Sequence, residues 1–120
     1  MYMGIFARID MKGDKMRTSS IYNEGQLRLY LSGELDHHAA KKCMSEIERK
    51  IDCYLPRDCV LDMGELKFMD SSGIAVIIKT MKRMKELDGR MWVENAGEQP
   101  MRVIDASGID RIVRICAVKE

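Results

Sequence analysis

Two serines beside an aspartate are the residues of this sequence best placed to do chemistry. They lie in Met69-Asp70-Ser71-Ser72-Gly73, which follows an apolar segment and precedes a stretch of helical spacing. The free N–H groups and the positive dipole end of a helix start stabilise an anion placed there. A plain N-cap at Asp70 or Ser71 is the simpler interpretation, but a cap needs one such side chain. The second hydroxyl leaves room for a phosphoacceptor, whose phosphate adds roughly −1.5 to −2 charge.

A phosphate at this position would act on a partner more than on the fold. The backbone N–H groups of the helix start would stabilise it. However, it would repel the Asp70 carboxylate, and desolvating it inside an interface would be costly. Losing about 2.7 kcal/mol of binding energy already lowers affinity a hundredfold. The motif therefore predicts a switch that a protein partner reads through its charge.

A second cluster, Asp36-His37-His38, raises the question of a metal site or, with Ser71, a hydrolase triad. Adjacent residues on a helix point about 100° apart, so the two imidazoles do not converge on one ion. A hydrolase elbow needs Gly-x-Ser-x-Gly, and Met69 stands where its first glycine would be. We predict no metal, no cofactor and no catalysis here, with one histidine ring packed and the other exposed.

Hydrophobic spacing predicts the elements that position these residues. Alternating residues separated by Asn23-Glu24-Gly25 predict a hairpin, and Asp36 is a natural N-cap for the helix that follows. In chain order the predictions are strands 18–22 and 26–32, a helix after Asp36, a strand 59–63, a loop 64–69, a helix stopped at Gly89, a strand 90–94, a helix 97–107 and a strand 112–116.

This order predicts an α/β fold, a mixed sheet in which an N-terminal hairpin and parallel strands carry helices packed on them. The 120 residues, 46% of them apolar, suffice for one core and one domain. Residues 1–16 have no sustained hydrophobic period, so we predict an extension there and the domain over residues 17–120.

Composition narrows the class of partner. Twenty basic and nineteen acidic residues leave a net charge of +1, which gives no net drive toward nucleic acid or a membrane. No apolar run is long enough to span a bilayer, and the amino terminus lacks the features of a signal peptide, so we expect a cytoplasmic protein. The four cysteines form no Cys-x-x-Cys pair and are expected to be reduced thiols.

Two segments together resemble a known family. They are residues 31–38, Leu-Ser-Gly-Glu-Leu-Asp-His-His, and residues 68–77, Phe-Met-Asp-Ser-Ser-Gly-Ile-Ala-Val-Ile. They are similar to the STAS domain of anti-sigma factor antagonists, most closely the SpoIIAA-type antagonists of the sporulation anti-sigma F factor. The resemblance covers about residues 17–118 and implies a single STAS domain.

The resemblance implies a partner-switching cycle. The unphosphorylated protein would bind an anti-sigma factor that is also a serine kinase, freeing the sigma factor; phosphorylation of Ser71 would release it, and a serine phosphatase would reset it. Catalysis would belong to the kinase, so this chain is not expected to be an enzyme. Another switch, such as the general stress response, and a small serine hydrolase using Ser71 remain the alternatives. The implied partner-binding residues are Gly33, Glu34, Asp36, His37, Met69, Asp70, Ser72 and Gly73.

Overall fold

The computed structural model describes residues 16–117, and its first element is the hairpin that the alternating pattern predicts. Strand β1 (Met16–Asn23) pairs antiparallel with β2 (Gln26–Leu35). Glu24 and Gly25 both have positive φ, 51° and 85°, as a type I′ hairpin turn requires. Of the predicted extension over residues 1–16, Met16 alone falls within the described part; it is buried in β1.

Helices and strands then alternate, and the sheet order is β1-β2-β3-β4-β5. The hairpin pair is antiparallel, and the three other pairs are parallel. The predicted α/β fold with a mixed sheet is therefore confirmed. After β2 the elements are α1 (His37–Tyr54), β3 (Asp58–Met69), α2 (Ser71–Glu86), β4 (Arg90–Ala96), α3 (Glu98–Ser107), a 3₁₀ turn (Ile109–Arg111) and β5 (Arg114–Ala117).

The core lies between one face of the sheet and the three helices. Leu29, Leu61 and Val93 are in register across β2, β3 and β4, and each is completely buried. Helix α1 packs on β1, β2 and α2, while α3 packs on β3 and α2. Because side chains alternate along a strand, Arg28 and Trp92 lie on the opposite face.

The predicted loop over residues 64–69 is wrong, since β3 continues to Met69. Gly64 and the mixed polarity that follows it suggested a break. However, β2 runs beside this segment and pairs with it as far as Leu35–Met69, through two register shifts. The inter-strand hydrogen bonds outweigh the weak local strand preference. Strand β4 pairs only with residues 58–62, so the rest of β3 extends beyond it.

Smaller differences occur near the carboxyl terminus and at the cysteines. Strand β5 begins at Arg114, two residues later than predicted, because a 3₁₀ turn comes first and leaves Ile112 exposed. No disulfide joins the four cysteines, which all lie within residues 16–117; Cys43 and Cys59 are buried, Cys116 is half-buried and Cys53 is exposed. Burial raises the pKa of both Cys43 and Cys59 to about 12. Within residues 16–117, no helix is both long and apolar enough to cross a membrane.

Candidate functional site

The two motif segments meet at the carboxyl edge of the sheet. Leu35 and Met69 are paired at the ends of β2 and β3, and the Asp70 N–H donates to the Leu35 carbonyl oxygen at 3.3 Å. Each strand is followed by one aspartate and then a helix, so α1 and α2 begin side by side. Their amino termini present backbone N–H groups and positive dipole ends to one surface.

Asp70 holds both helix starts together. Its Oδ1 accepts from the Ser72 N–H at 2.8 Å, the expected N-cap, and its Oδ2 accepts from the His37 N–H of α1 at 3.2 Å. Asp36 caps only its own helix, with Oδ1 accepting from the Ala39 N–H at 3.0 Å. One carboxylate therefore satisfies donors on two helices and fixes the distance between them.

Ser71 is the first residue of α2 and is exposed, whereas Ser72 is half-buried with its N–H committed to Asp70. Among the hydrogen bonds of the described residues, none uses the Ser71 hydroxyl. That hydroxyl is therefore accessible to another protein. A phosphate there would lie beside the Asp70 carboxylate and against the start of α2.

Met69 and Gly73 lie beneath this surface. Met69 is completely buried, and a Cβ at Gly73 would be 2.6 Å from its Sδ and 3.2 Å from its Cβ. The absence of a side chain at Gly73 therefore lets the first turn of α2 pack directly on Met69. Gly33 has φ of 94° beside a register shift in β2, a conformation that glycine adopts without strain.

The expectation of one packed and one exposed histidine ring is wrong, because His37 and His38 are both exposed. Their rings contact each other edge to face, with centroids 5.5 Å apart. The apolar residues of α1 that pack against the core begin at Ala39, so neither ring reaches it. Between residues 16 and 117 no group of three or more metal-ligating side chains occurs, and no hydrogen bond joins Ser71 to either histidine.

Gln99 of α3 was not singled out by the sequence. Its Oε1 accepts from the Met69 N–H at 2.8 Å, and its Nε2 donates to the Met69 carbonyl at 3.0 Å. Where β3 extends past β4, this amide makes the two hydrogen bonds that a neighbouring strand would have made. No local signal marks it, since a glutamine in the first turn of a helix usually faces solvent.

Phe68 is an exposed aromatic side chain at the same end of β3. It pairs with Glu34 on the side of the sheet opposite Leu35 and Met69, and it is 39% exposed. Alternation from the buried Met69 could have identified it. The end of the β2–β3 pair thus combines the exposed Phe68 ring with Glu34, its register partner.

Comparison with known proteins places this chain in a family. The sequence model of the STAS domain matches residues 19–120. The anti-sigma F factor antagonist of Paenibacillus polymyxa is 34% identical over 94 residues, 78% of this chain and 80% of that relative. The anti-sigma-B factor antagonist of Bacillus subtilis (strain 168) is 30% identical over 102 residues, 82% of this chain and 88% of that relative.

Solved structures agree on the fold. Unphosphorylated SpoIIAA, an anti-sigma factor antagonist, superposes with a TM-score of 0.69 at 24% identity, over 83% of this chain and 86% of that one. The phosphorylated form of Bacillus SpoIIAA gives 0.62 at the same identity, over 83% and 89%. With the paired helix starts and the Asp-Ser-Ser-Gly turn in place, this chain belongs to the STAS-domain family, in the group of the anti-sigma factor antagonists.

Proposed function

We propose that this chain is the phosphorylation-controlled antagonist of an anti-sigma factor that is also a serine kinase, acting in the cytoplasm. In its unphosphorylated form it binds that factor and frees a sigma factor. The kinase phosphorylates Ser71, the complex dissociates, and a serine phosphatase restores the binding form. The observation that carries the proposal is the exposed Ser71 at the start of α2, directly after the Asp70 carboxylate.

The geometry explains why phosphorylation would change binding and leave the fold intact. Both oxygens of Asp70 already accept backbone hydrogen bonds, so this carboxylate is fixed and cannot move away from a new dianion. The Ser71 side chain is outside the core, and its modification displaces no packed group. The added charge therefore acts mainly on the partner, through repulsion and the cost of desolvation.

Phe68 is the proposed anchor of the interface. Interfaces draw most of their energy from a few aromatic or arginine side chains that become buried, and Phe68 is an exposed ring at the end of β3, three residues before Ser71. Glu34 is its register partner on β2. A complementary partner surface would offer an apolar pocket with basic groups at its rim.

The sigma F switch of sporulation is the proposed pathway. Asp36-His37-His38 resembles the sporulation antagonists, and the Paenibacillus relative is named for sigma F. The sigma B switch is the second candidate because the Bacillus subtilis relative, named for sigma B, matches over a similar length.

The test combines phosphorylation with binding. The protein is incubated with ATP and with anti-sigma kinases of the sigma F and sigma B types, and phosphate is located by mass spectrometry. We expect it on Ser71 with one of the two kinases. Ser71→Asp should weaken binding of that kinase by about a hundredfold. Ser71→Ala should bind normally and remain bound when ATP is added.

Ser45→Asp is the matched control, because it adds the same charge at an exposed position within α1. It should bind like the parent, and both aspartate variants should retain the parental melting temperature. Phosphate absent from Ser71 with both kinases, or a Ser71→Asp variant that binds as tightly as Ser45→Asp, would contradict the proposal.

A further inference from the structure

A groove lies at the other end of α2, between that helix and the first residues of β4 and β5. It has a volume of about 270 Å³. Its floor and rim include Met91, Trp92 and Ile112, and Ile112 is 62% exposed. The residues of α2 that line this groove, Met81, Met84 and Lys85, come 10 to 14 residues after Ser71, roughly 15–21 Å along the helix. It is therefore a surface distinct from the switch.

The charge of the groove is one-sided. Every charged residue that lines it is basic, namely Lys85, Arg90 and Arg114, although the whole chain carries only +1. Arg90 is neutralised by Asp58, whose Oδ1 accepts from Nε at 2.9 Å and whose Oδ2 accepts from Nη2 at 3.2 Å. Over residues 16–117, neither Lys85 nor Arg114 forms a salt bridge, so two further cations border the groove.

Two arginines and one carboxylate contact Trp92. The Arg114 guanidinium lies 5.4 Å from the ring centroid and that of Arg90 lies 6.0 Å away. The indole Nε1 donates to Glu94 at 2.7 Å. The ring is thus fixed before any ligand arrives, which reduces the entropy cost of binding. Next to it, the exposed Ile112 leaves apolar surface for a ligand side chain to cover.

We propose that this groove is a second docking site, which binds a short acidic segment of a partner protein through one apolar side chain flanked by aspartate or glutamate. The apolar side chain rests on Trp92 and Ile112, and the flanking carboxylates face Lys85 and Arg114. The volume suits one or two side chains and lies below the range of roughly 300–1,000 Å³ usual for cofactor pockets. The inference does not depend on the proposed function of Ser71.

The single tryptophan of the chain gives a direct readout, since it is Trp92 itself. The probe is the blocked peptide Asp-Glu-Leu-Glu-Asp, titrated into the full-length protein by tryptophan fluorescence and by calorimetry. Its controls are Lys-Lys-Leu-Lys-Lys and Asp-Glu-Ser-Glu-Asp. We expect saturable binding of the acidic leucine peptide, about tenfold or more tighter than either control. It should weaken as salt rises from about 0.05 M to about 0.5 M.

Variants locate the site. Arg114→Gln and Lys85→Gln should each lower the affinity for the peptide about threefold to tenfold. Calorimetry measures this, because its signal does not depend on the surroundings of the indole. Lys67→Gln, which removes an exposed lysine on β3 near the switch, should have no effect. Ser71→Asp should also bind the peptide like the parent, so a failure of the switch proposal remains separate from a failure here.

Two kinds of result would overturn the inference. One is the absence of saturable binding up to the solubility limit of the acidic peptide. The other is binding that the basic peptide matches, or that Arg114→Gln and Lys67→Gln reduce equally.

Discussion

The two ends of α2 differ in the sign of their charge and in how their side chains are used. At the amino end, Asp36 and Asp70 are committed to backbone N–H groups of helix starts. At the carboxyl end, Lys85 and Arg114 project around a groove with no ion-pair partner within residues 16–117. The aspartates at the helix starts and Lys85 in the last turn of α2 agree with the helix dipole, which favours anions at helix starts and cations at helix ends; Arg114 comes from β5.

Because of this difference, the side chains at the amino end of α2 should contribute mainly to stability and those at its carboxyl end mainly to binding. Side chains that satisfy buried or half-buried backbone groups cost stability when they are removed, whereas exposed cations without partners cost little. Substitutions around Asp70 should therefore lower the free energy of unfolding. Substitutions at Lys85 should leave it almost unchanged, and those at Arg114 should cost only the contact with Trp92, about 0.5–1 kcal/mol, so both act mainly on binding.

The largest effect on stability is expected from Asp70→Ala, which removes hydrogen bonds to the first turns of two helices. It should lower the free energy of unfolding by about 2–3 kcal/mol, a cap plus a second hydrogen bond. Asp36→Ala is the matched variant, because it removes a single N-cap hydrogen bond. It should lower the free energy of unfolding by about 1 kcal/mol. Urea denaturation measures both. Equal losses would mean that the bond from His37 N–H to Asp70 contributes nothing.

A smaller loss of stability is expected from Gln99→Ala, which leaves the N–H and carbonyl of Met69 without the hydrogen bonds that Gln99 makes to them. About 1–2 kcal/mol should be lost in urea denaturation, and the Met69 amide should exchange its hydrogen faster. Glu98→Ala, at the neighbouring exposed position, is the control and should change little. If both variants unfold alike, the strand-like role of Gln99 is refuted.

The smallest effect concerns Asp58 at the groove end. Burial alone would raise the pKa of this carboxyl, but hydrogen bonds and charge from Arg90 and Arg57 outweigh it and hold the pKa below its usual value. A depressed folded-state pKa adds stability above the unfolded value of about 3.9, and that stability is lost as the pH falls through the folded value.

Asp58→Asn should therefore lower the free energy of unfolding by about 1 kcal/mol at neutral pH. The difference in free energy of unfolding between this variant and the parent should disappear as the pH falls below about 4. Urea denaturation at a series of pH values measures the gap. A gap that stays constant, or that widens in acid, would show that the carboxylate charge of Asp58 is not what stabilises this end.

Much of the fold could be predicted because it depends on neighbours in the chain. The turn at Glu24 and Gly25, the N-cap at Asp36 and the end of α3 at Gly108 each arise from local geometry. The exposure of the two histidine rings was predicted wrongly. The spacing of apolar residues does not show at which residue a helix first contacts the sheet.

The sequence by itself determined the alternation of helices and strands, the aspartates at the helix starts and the position of the exposed serine, because each rests on contacts within a few residues. Tertiary structure alone decided the length of β3, the second hydrogen bond of Asp70, the bond from Gln99 to Met69 and the assembly of the basic groove. The hydrogen bonds that Asp70 and Gln99 make to other elements join residues 30 or more positions apart. Such pairings depend on which strands lie side by side, which no local pattern encodes.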